Sequence, residues 1–323
     1  GFILDDWAED SCRVLVPDHR IDILQEEDLV EEVARIYGYD KIPVTIPSGV
    51  LPERRVNPKR RFISRVGEIL RGSGLTEVDT MTFTSESACY ELRLAKEDLE
   101  QQKVKIKNPI SREYTMLRTT LLVNLLDVLQ KNALRQLDDV AIYEIGKVFH
   151  KREGEEEEDT ESPLETYLPY ERTMIGLAVM GRISKPSWNN PSEAVDFFDI
   201  KGIIENLLEA FGIIEYSFEK ATHPTLHPGR TGKLLIDGEY IGCFGELHPT
   251  VRSSLGLRGR VYLAELDGEK ILSSIAQGII VKRLPKFPAT TRDIAVIIRK
   301  DLESKMVEDI IWEIGADLIE DVT

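Results

Sequence analysis

Long apolar runs are missing from this 323-residue chain, and with them any candidate for a helix that spans a bilayer. There is no G-x-G-x-x-G loop, no Walker-type loop and no G-x-S-x-G elbow, so the sequence signals for dinucleotide binding, phosphate cradling and serine-hydrolase chemistry are lacking. Only three cysteines occur, Cys12, Cys89 and Cys243, far apart and without metal or redox spacing. That usage fits reduced thiols in a cytoplasmic protein. Basic residues are outnumbered, 41 against 57 acids, for a formal net charge of -16, which makes a poor non-specific binder of nucleic acid or membrane. No signal-peptide pattern and no initiator Met open the chain, and a start at Gly1-Phe2 fits an internal piece of something longer.

What is present is an ordinary globular composition, 42% hydrophobic and 30% charged, long enough for two or three domains. SCRVLVP, from Ser11, alternates like a strand. A helix is expected over 28–37, with Val30, Val33, Ala34 and Tyr37 on one face and Gly38 as its C-terminal cap. KIPVTIPSGVLPERRVNP, from Lys41, holds four prolines and reads as a linker. Helices are expected near 59–71 and 119–136, and another over FDIKGIIENLLEAFGI. Strands are expected at VDTMTFTS, KVKIKNP, DVAIYEIGKVFHK, RTMIGLAVMGR, VYLAELD and RDIAVIIRK. TGKLLIDGEYIGCFGELHP reads as a hairpin turning at Asp237-Gly238. The run EGEEEEDTE, from Glu153, reads as a solvated loop. Hairpins with interspersed helices, and no strict βαβ alternation, predict an α+β fold with a mostly antiparallel sheet.

Six of the eleven residues from Asp22 to Glu32 are acidic. Like charges three or four apart on a helix repel, by about 0.2–0.5 kcal/mol per pair. Two readings stand side by side. In one, Asp28 is the N-cap, DLVE is a capping box and the remaining acids complement the helix dipole. In the other, Asp28, Glu31 and Glu32, at i, i+3 and i+4, join Asp22 in a hard-cation site of the kind Mg²⁺ prefers. Four carboxylates over-neutralise one divalent ion, so a second cation or a partner's basic group would balance it better.

VPDHRIDILQEEDLVEEVARIYGYDKIP resembles the end of a winged-helix-like domain in the β subunits of bacterial phenylalanyl-tRNA synthetases. LLRGSGLTEVDTMTFTS, KNPISREYTMLRTTLLVNLLDVLQKN, AIYEIGKVFH, FDIKGIIENLL and LHPGRTGKLLIDGEYIGCFGELHP resemble the catalytic-like domain of that family, in the same order. KFPATTRDIAVIIRKD resembles the start of its anticodon-binding domain. The resemblance implies four segments: part of a winged-helix-like domain over 1–43, a linker over 44–58, a class II synthetase-like domain over 59–280, and the opening of a ferredoxin-fold anticodon-binding domain over 281–323. It implies a fragment without the family's amino-terminal tRNA-binding and editing modules. It also implies a magnesium ion shared with an α subunit and held by Asp22, Asp28, Glu31 and Glu32. That ion, at a subunit boundary, would explain why the acids are tolerated.

The family's role implies an α₂β₂ assembly that charges tRNA(Phe) with phenylalanine, with ATP bound by α and the β chain non-catalytic. The residues agree. Class II chemistry needs positioned arginines to meet charge on the α-phosphate. A glycine-rich strand-to-helix motif ending in Arg is missing, and Arg118 in MLRTTLL is the only tempting substitute, more simply read as structural. His223 and His227 are four apart, but Pro224 and Pro228 bar a helix there, so the pair need not converge on a metal. HPGR reads as a shaped loop with Arg230 paired to an acid. Lys282, Arg283, Lys286 and Arg292 form a basic patch, a solvated linker on composition and part of a tRNA-binding surface by resemblance. Two other functions stay open on residues alone: a free-standing Mg²⁺-dependent phosphoryl-transfer enzyme, and an acidic interaction scaffold.

Overall fold

The structure is a computed structural model, and it describes residues 1–46, 48–49, 57–94, 103–151, 168–183, 187–189, 191, 193–275, 287–300 and 302–322. The acidic run from Glu153 lies outside them. The chain divides into two units, Gly1–Arg61 and Phe62–Thr323.

In the first unit, strand β1 (Ile3–Asp5) pairs antiparallel with β2 (Arg13–Leu15), and helix α1 covers Glu26–Tyr37. The helix stops where expected. Gly38 takes φ +103°, which L side chains rarely adopt, and its amide reaches back to Ala34 O at 2.9 Å. The start differs from the expected one. Gln25 is the N-cap, and Asp28 stands three residues inside the helix, its carboxylate accepting from the Gln25 amide at 3.0 Å and the Leu24 amide at 2.8 Å. A carboxylate at that position satisfies amides that the first turn leaves without partners. Val30, Val33, Ile36 and Tyr37 remain exposed.

The second unit begins within helix α2 (Pro58–Gly72). There follow β3 (Thr76–Glu77), β4 (Phe83–Thr84), α3 (Glu86–Glu91), β5 (Met116–Leu117), α4 (Leu122–Leu134), β6 (Val140–His150) and β7 (Tyr170–Met180). Then come α5 (Phe197–Ala210), β8 (Tyr216–Lys220), β9 (Leu226–Ile236), β10 (Glu239–Leu247), α6 (Pro249–Ser254), β11 (Val261–Asp267), α7 (Gly268–Ser273) and α8 (Ser304–Gly315). Seven strands form one sheet in the order β3-β6-β7-β11-β10-β9-β8. Every neighbour is antiparallel except β3 on β6. Asp237 and Gly238, at φ +50° and +78°, make the tight turn between β9 and β10.

Side-chain alternation gives the sheet two faces. Ile175, Leu177 and Val179 of β7, Ala264 and Leu266 of β11 and Phe244 of β10 meet α2 through Val66 and Leu70, and α5 through Ile200, Ile204 and Leu207. Helix α5 starts cleanly because Asp196 accepts from the Phe198 amide at 2.7 Å while Asp199 accepts from the Asp196 amide at 2.7 Å. The opposite face carries Ile142, Ala178 and Leu263, and α4 lies on it through Leu122, Leu125, Leu126 and Leu129. Gly176 admits that helix. A Cβ there would stand 2.7 Å from Leu125 Cδ1 and 3.1 Å from Leu121.

Four expectations need correction. RDIAVIIRK forms no strand: Ile294 and Ile297 are exposed and no partner strand stands beside it among the described residues. A β pattern without a neighbour leaves its amides and carbonyls to water. KVKIKNP contributes only a bridge from Lys105 to Met116, and VDTMTFTS only its last part, as β4. HPGR is not a loop but the first half of β9. Pro228 is tolerated because β8 pairs only with residues 232–236 and the β10 register shifts between Thr231 and Leu226, so Pro228 is paired on neither side. Since Leu125 is fully buried between α4 and the sheet, Leu125→Ala should lower unfolding free energy by about 2–5 kcal/mol in chemical denaturation. Loss of less than 1 kcal/mol would mean α4 is not packed as described.

Candidate functional site: the acidic helix start and the polar half of the sheet

Arg20 organises the acidic segment. Its Nε and Nη2 grip Asp22 at 3.0 and 2.7 Å, and Nη2 also reaches Glu32 Oε1 at 2.8 Å. Arg35 holds the other oxygen of Glu32 at 2.6 Å, one turn along α1. The Arg20 guanidinium also lies 5.4 Å from the Phe2 ring centre. Two acids and two bases therefore alternate in one chain, Asp22, Arg20, Glu32, Arg35. Hydrogen bonds from Arg20 hold the carboxyls of Asp22 and Glu32 down to about 2. Asp28 is committed to the helix start, and Glu31 is exposed, with no side-chain hydrogen bond or ion pair among the described residues. The four predicted ligands thus divide: Asp22 and Glu32 are brought together, Asp28 and Glu31 are not joined to them. Among the described residues no three His, Cys, Asp or Glu side chains form a group able to hold a metal. The donor chemistry, all carboxylate oxygen, suits Mg²⁺, but Arg20 already fills the point where two of the acids converge. Arg20 and Arg35 were both visible in the sequence. Their spacing to the acids, two residues and three, was the signal.

In the second unit, the sheet face under the start of α4 turns from apolar to charged. Arg118 and Glu144 are both 2% exposed. Arg118 Nη1 donates to Glu144 Oε1 at 2.7 Å and to Thr80 Oγ1 at 2.8 Å, and Nε donates to Lys147 O at 2.8 Å. The Thr80 hydroxyl in turn donates to Glu144 Oε2 at 2.7 Å. Along the same row lies Glu265 of β11, which accepts from the Leu121 amide at 2.6 Å and the Thr120 hydroxyl at 2.9 Å. Burial pushes the Glu265 carboxyl up, and those donors oppose it. Asp267 caps α7 through the Glu269 and Lys270 amides and is ion-paired to Arg172.

This arrangement is closed. Arg118 and Arg172 are each held by a carboxylate of the same chain, and at the strand-to-helix turn from β11 to α7 Asp267 is taken up by Arg172 and the helix cap. Arg118 is a structural arginine. The histidines do not converge on a metal either. His223, His227 and His248 each turn Nδ1 to a backbone amide, at 3.3, 3.0 and 3.1 Å. Arg230 pairs with Glu246 at 2.6 Å, as expected. Of the basic patch, Lys282, Arg283 and Lys286 lie outside the described residues, and Arg292 is exposed, donating to Thr291 O.

Comparison with known proteins places this geometry in a class. Residues 42–268 match the family profile described as the phenylalanyl tRNA synthetase beta chain CLM domain, and residues 1–39 match the tRNA synthetase B5 domain. The phenylalanine--tRNA ligase beta subunit of Symbiobacterium thermophilum is 40% identical over 311 residues, 96% of this chain and 33% of that protein. The Bacillus subtilis protein of the same name is 36% identical over 100% of this chain and 38% of its own length. The chain belongs to the phenylalanyl-tRNA synthetase β-chain family, and it spans little more than a third of the length of these relatives. A pyrrolysyl-tRNA synthetase structure from Desulfitobacterium hafniense reaches a TM-score of 0.49 at 15% identity over 68% of this chain and 74% of that one, too low to bear on the fold.

Two outcomes follow from the charge pairing. Arg118→Met leaves Glu144 buried without its cation and should cost about 3–5 kcal/mol, whereas the double change with Glu144→Leu should recover much of that; a single-variant loss below 1 kcal/mol would show the pair to be dispensable. For Asp22 and Glu32, depressed carboxyls stabilise the fold above their unfolded value near 4, and that contribution fades as pH falls toward 2. Carboxyl carbon NMR should show both titrating near 2, and Arg20→Gln should move both upward; unchanged midpoints would remove Arg20 as their anchor.

Proposed function

We propose that this chain is a central-to-C-terminal fragment of a phenylalanine–tRNA ligase β subunit, acting as a non-catalytic scaffold in the cytoplasm. Its catalytic-like sheet would pack against an α subunit that binds ATP and activates phenylalanine, in an α₂β₂ enzyme that charges tRNA(Phe). The observation that carries this reading is the match of essentially the whole chain to β subunits of that ligase. The internal pairing of Arg118 and Arg172 agrees with it, since no arginine of that polar row is left over for phosphate. On this reading residues 1–43 belong to a winged-helix-like domain and residues 281–323 open a ferredoxin-fold anticodon-binding domain. Lys282, Arg283, Lys286 and Arg292 would then contribute to tRNA contact, most of it electrostatic and salt-dependent.

Asp22, Asp28, Glu31 and Glu32 would hold a Mg²⁺ shared with α, the ion supplying positive charge at the boundary. Because Arg20 occupies the meeting point of Asp22 and Glu32, ion and guanidinium compete for the same oxygens. Co-purification with a bacterial phenylalanyl-tRNA synthetase α subunit tests the assignment. A stable complex that loosens in EDTA is expected, and Arg20→Gln should tighten Mg²⁺ binding several-fold. A complex indifferent to EDTA would remove the shared ion but keep the subunit role. No complex with α, either for this chain or for a full-length β subunit carrying it, would overturn the assignment.

A further inference from the structure

Thr225 is fully buried and commits all three of its polar groups, two of them to other segments. Its amide donates to His223 Nδ1 at 3.3 Å, its hydroxyl donates to Leu92 O at 2.8 Å, and its carbonyl accepts from the His248 amide at 2.9 Å. Those bonds bring His223, His248 and Arg93, the neighbour of Leu92, around one shallow pocket of about 250 Å³. Thr222, Pro224, Leu226 and Pro228 also line it, and among the described residues no acidic side chain does. In a chain with a net charge of -16, that is a local reversal of sign.

Three of the residues lining the pocket, Arg93, His223 and His248, carry side-chain N–H donors. A backbone amide can only donate, so Nδ1 of His223 and of His248 each act as acceptor and the ring proton stands on Nε2. Burial keeps both imidazoles below their usual value, and the charge of Arg93 lowers His248 further, which favours the neutral, N–H-bearing ring. With the Nδ1 lone pair engaged by an amide and a proton on Nε2, neither ring is set to ligate a metal. Arg93 has no ion pair or side-chain hydrogen bond among the described residues. It sits at φ +63°, just past the end of α3, where Gly or Asn is usual. A larger hollow of about 570 Å³ continues past Thr222, His223 and Pro228, lined by Lys220, Lys233 and Tyr240.

We propose that Arg93, His223 and His248 bind a phosphate-class oxyanion, with the adjoining hollow taking the organic part of a phosphate monoester. Two neutral N–H donors and one guanidinium, around a space that no acidic side chain lines among the described residues, suit tetrahedral oxygens better than a cation. The proposal stands apart from the subunit assignment.

The test is a titration of the 323-residue chain with inorganic phosphate, followed by calorimetry and by the Nε2–H proton shifts of the histidines. Three variants discriminate: Arg93→Gln, His223→Asn and His248→Asn. Asn places its side-chain oxygen where Nδ1 was, so the Thr225 and Thr250 amides keep their acceptor while the Nε2–H donor is lost. Saturable binding that moves both Nε2–H signals, weakened at least fivefold by each variant and weaker for acetate than for phosphate, is the expected result. Unsaturable binding, or equal affinity across wild type and all three variants, would overturn it. Weakening by Arg93→Gln alone would also overturn it, since that marks a surface cation and not a site. Arg93 is exposed, so its variant should fold, and the proton shifts of the wild type decide the histidine roles if an Asn variant does not.

Discussion

Leu121 and Leu125 press on Gly176 in the middle of the sheet, so closely that a Cβ there would force a leucine to shift. That contact brings the first turn of α4 down onto β7 and β11. Once there, the Leu121 amide has no water to turn to, and Glu265 supplies an acceptor. The segment just before the helix is carried along, so Arg118 is buried beside Glu144 and Thr80. A buried guanidinium is tolerable only when it is fully paired, and here its partners come from two separate stretches of chain. The glycine at the contact, and not any of the charged residues, decides that this part of the sheet is polar and closed.

Closure has a functional sense in a family whose relatives are ligase β subunits. A sheet with free arginines invites phosphate; a sheet whose arginines are each neutralised from within presents a fixed shape. The acidic segment of the first unit follows the same logic at its surface. Arg20 and Arg35 hold Asp22 and Glu32 in a ladder of alternating sign, which removes much of the repulsion that the sequence alone suggests. Asp28 is kept busy by the amides of the helix start.

Long periodic elements were legible in the residues. Helices α2, α4 and α5, strands β6, β7 and β11, and the Asp237-Gly238 hairpin lie where apolar spacing and turn chemistry put them. Each carries its own signal over ten residues or so, or ends in a turn that only a few residues can make. Short elements escaped, α3, α6 and α7 among them, because six residues hold too few periods to register. HPGR was misread because Pro and Gly normally mark loops, and the limited reach of β8 together with the shifted register against β10 leaves Pro228 free to sit in a strand. RDIAVIIRK has the alternation of a strand but no neighbour to pair with. In the acidic segment the number of carboxylates drew attention to a metal. The bases were in plain view, Arg20 two residues from Asp22 and Arg35 three from Glu32, but that Arg20 also reaches Glu32, twelve residues along, depends on how the chain folds, and spacing does not report that.

Thr225 ties together residues near 92, 223 and 248, three stretches that share no helix and no common turn. Fluctuations that open one of them must strain the other two. The end of α3, the approach to β9 and the start of α6 should therefore open as one cooperative unit, cutting across the order of the chain. In a sheet built mainly from sequential hairpins, that single residue acts as a rivet, its hydroxyl holding the end of α3 and its carbonyl the start of α6.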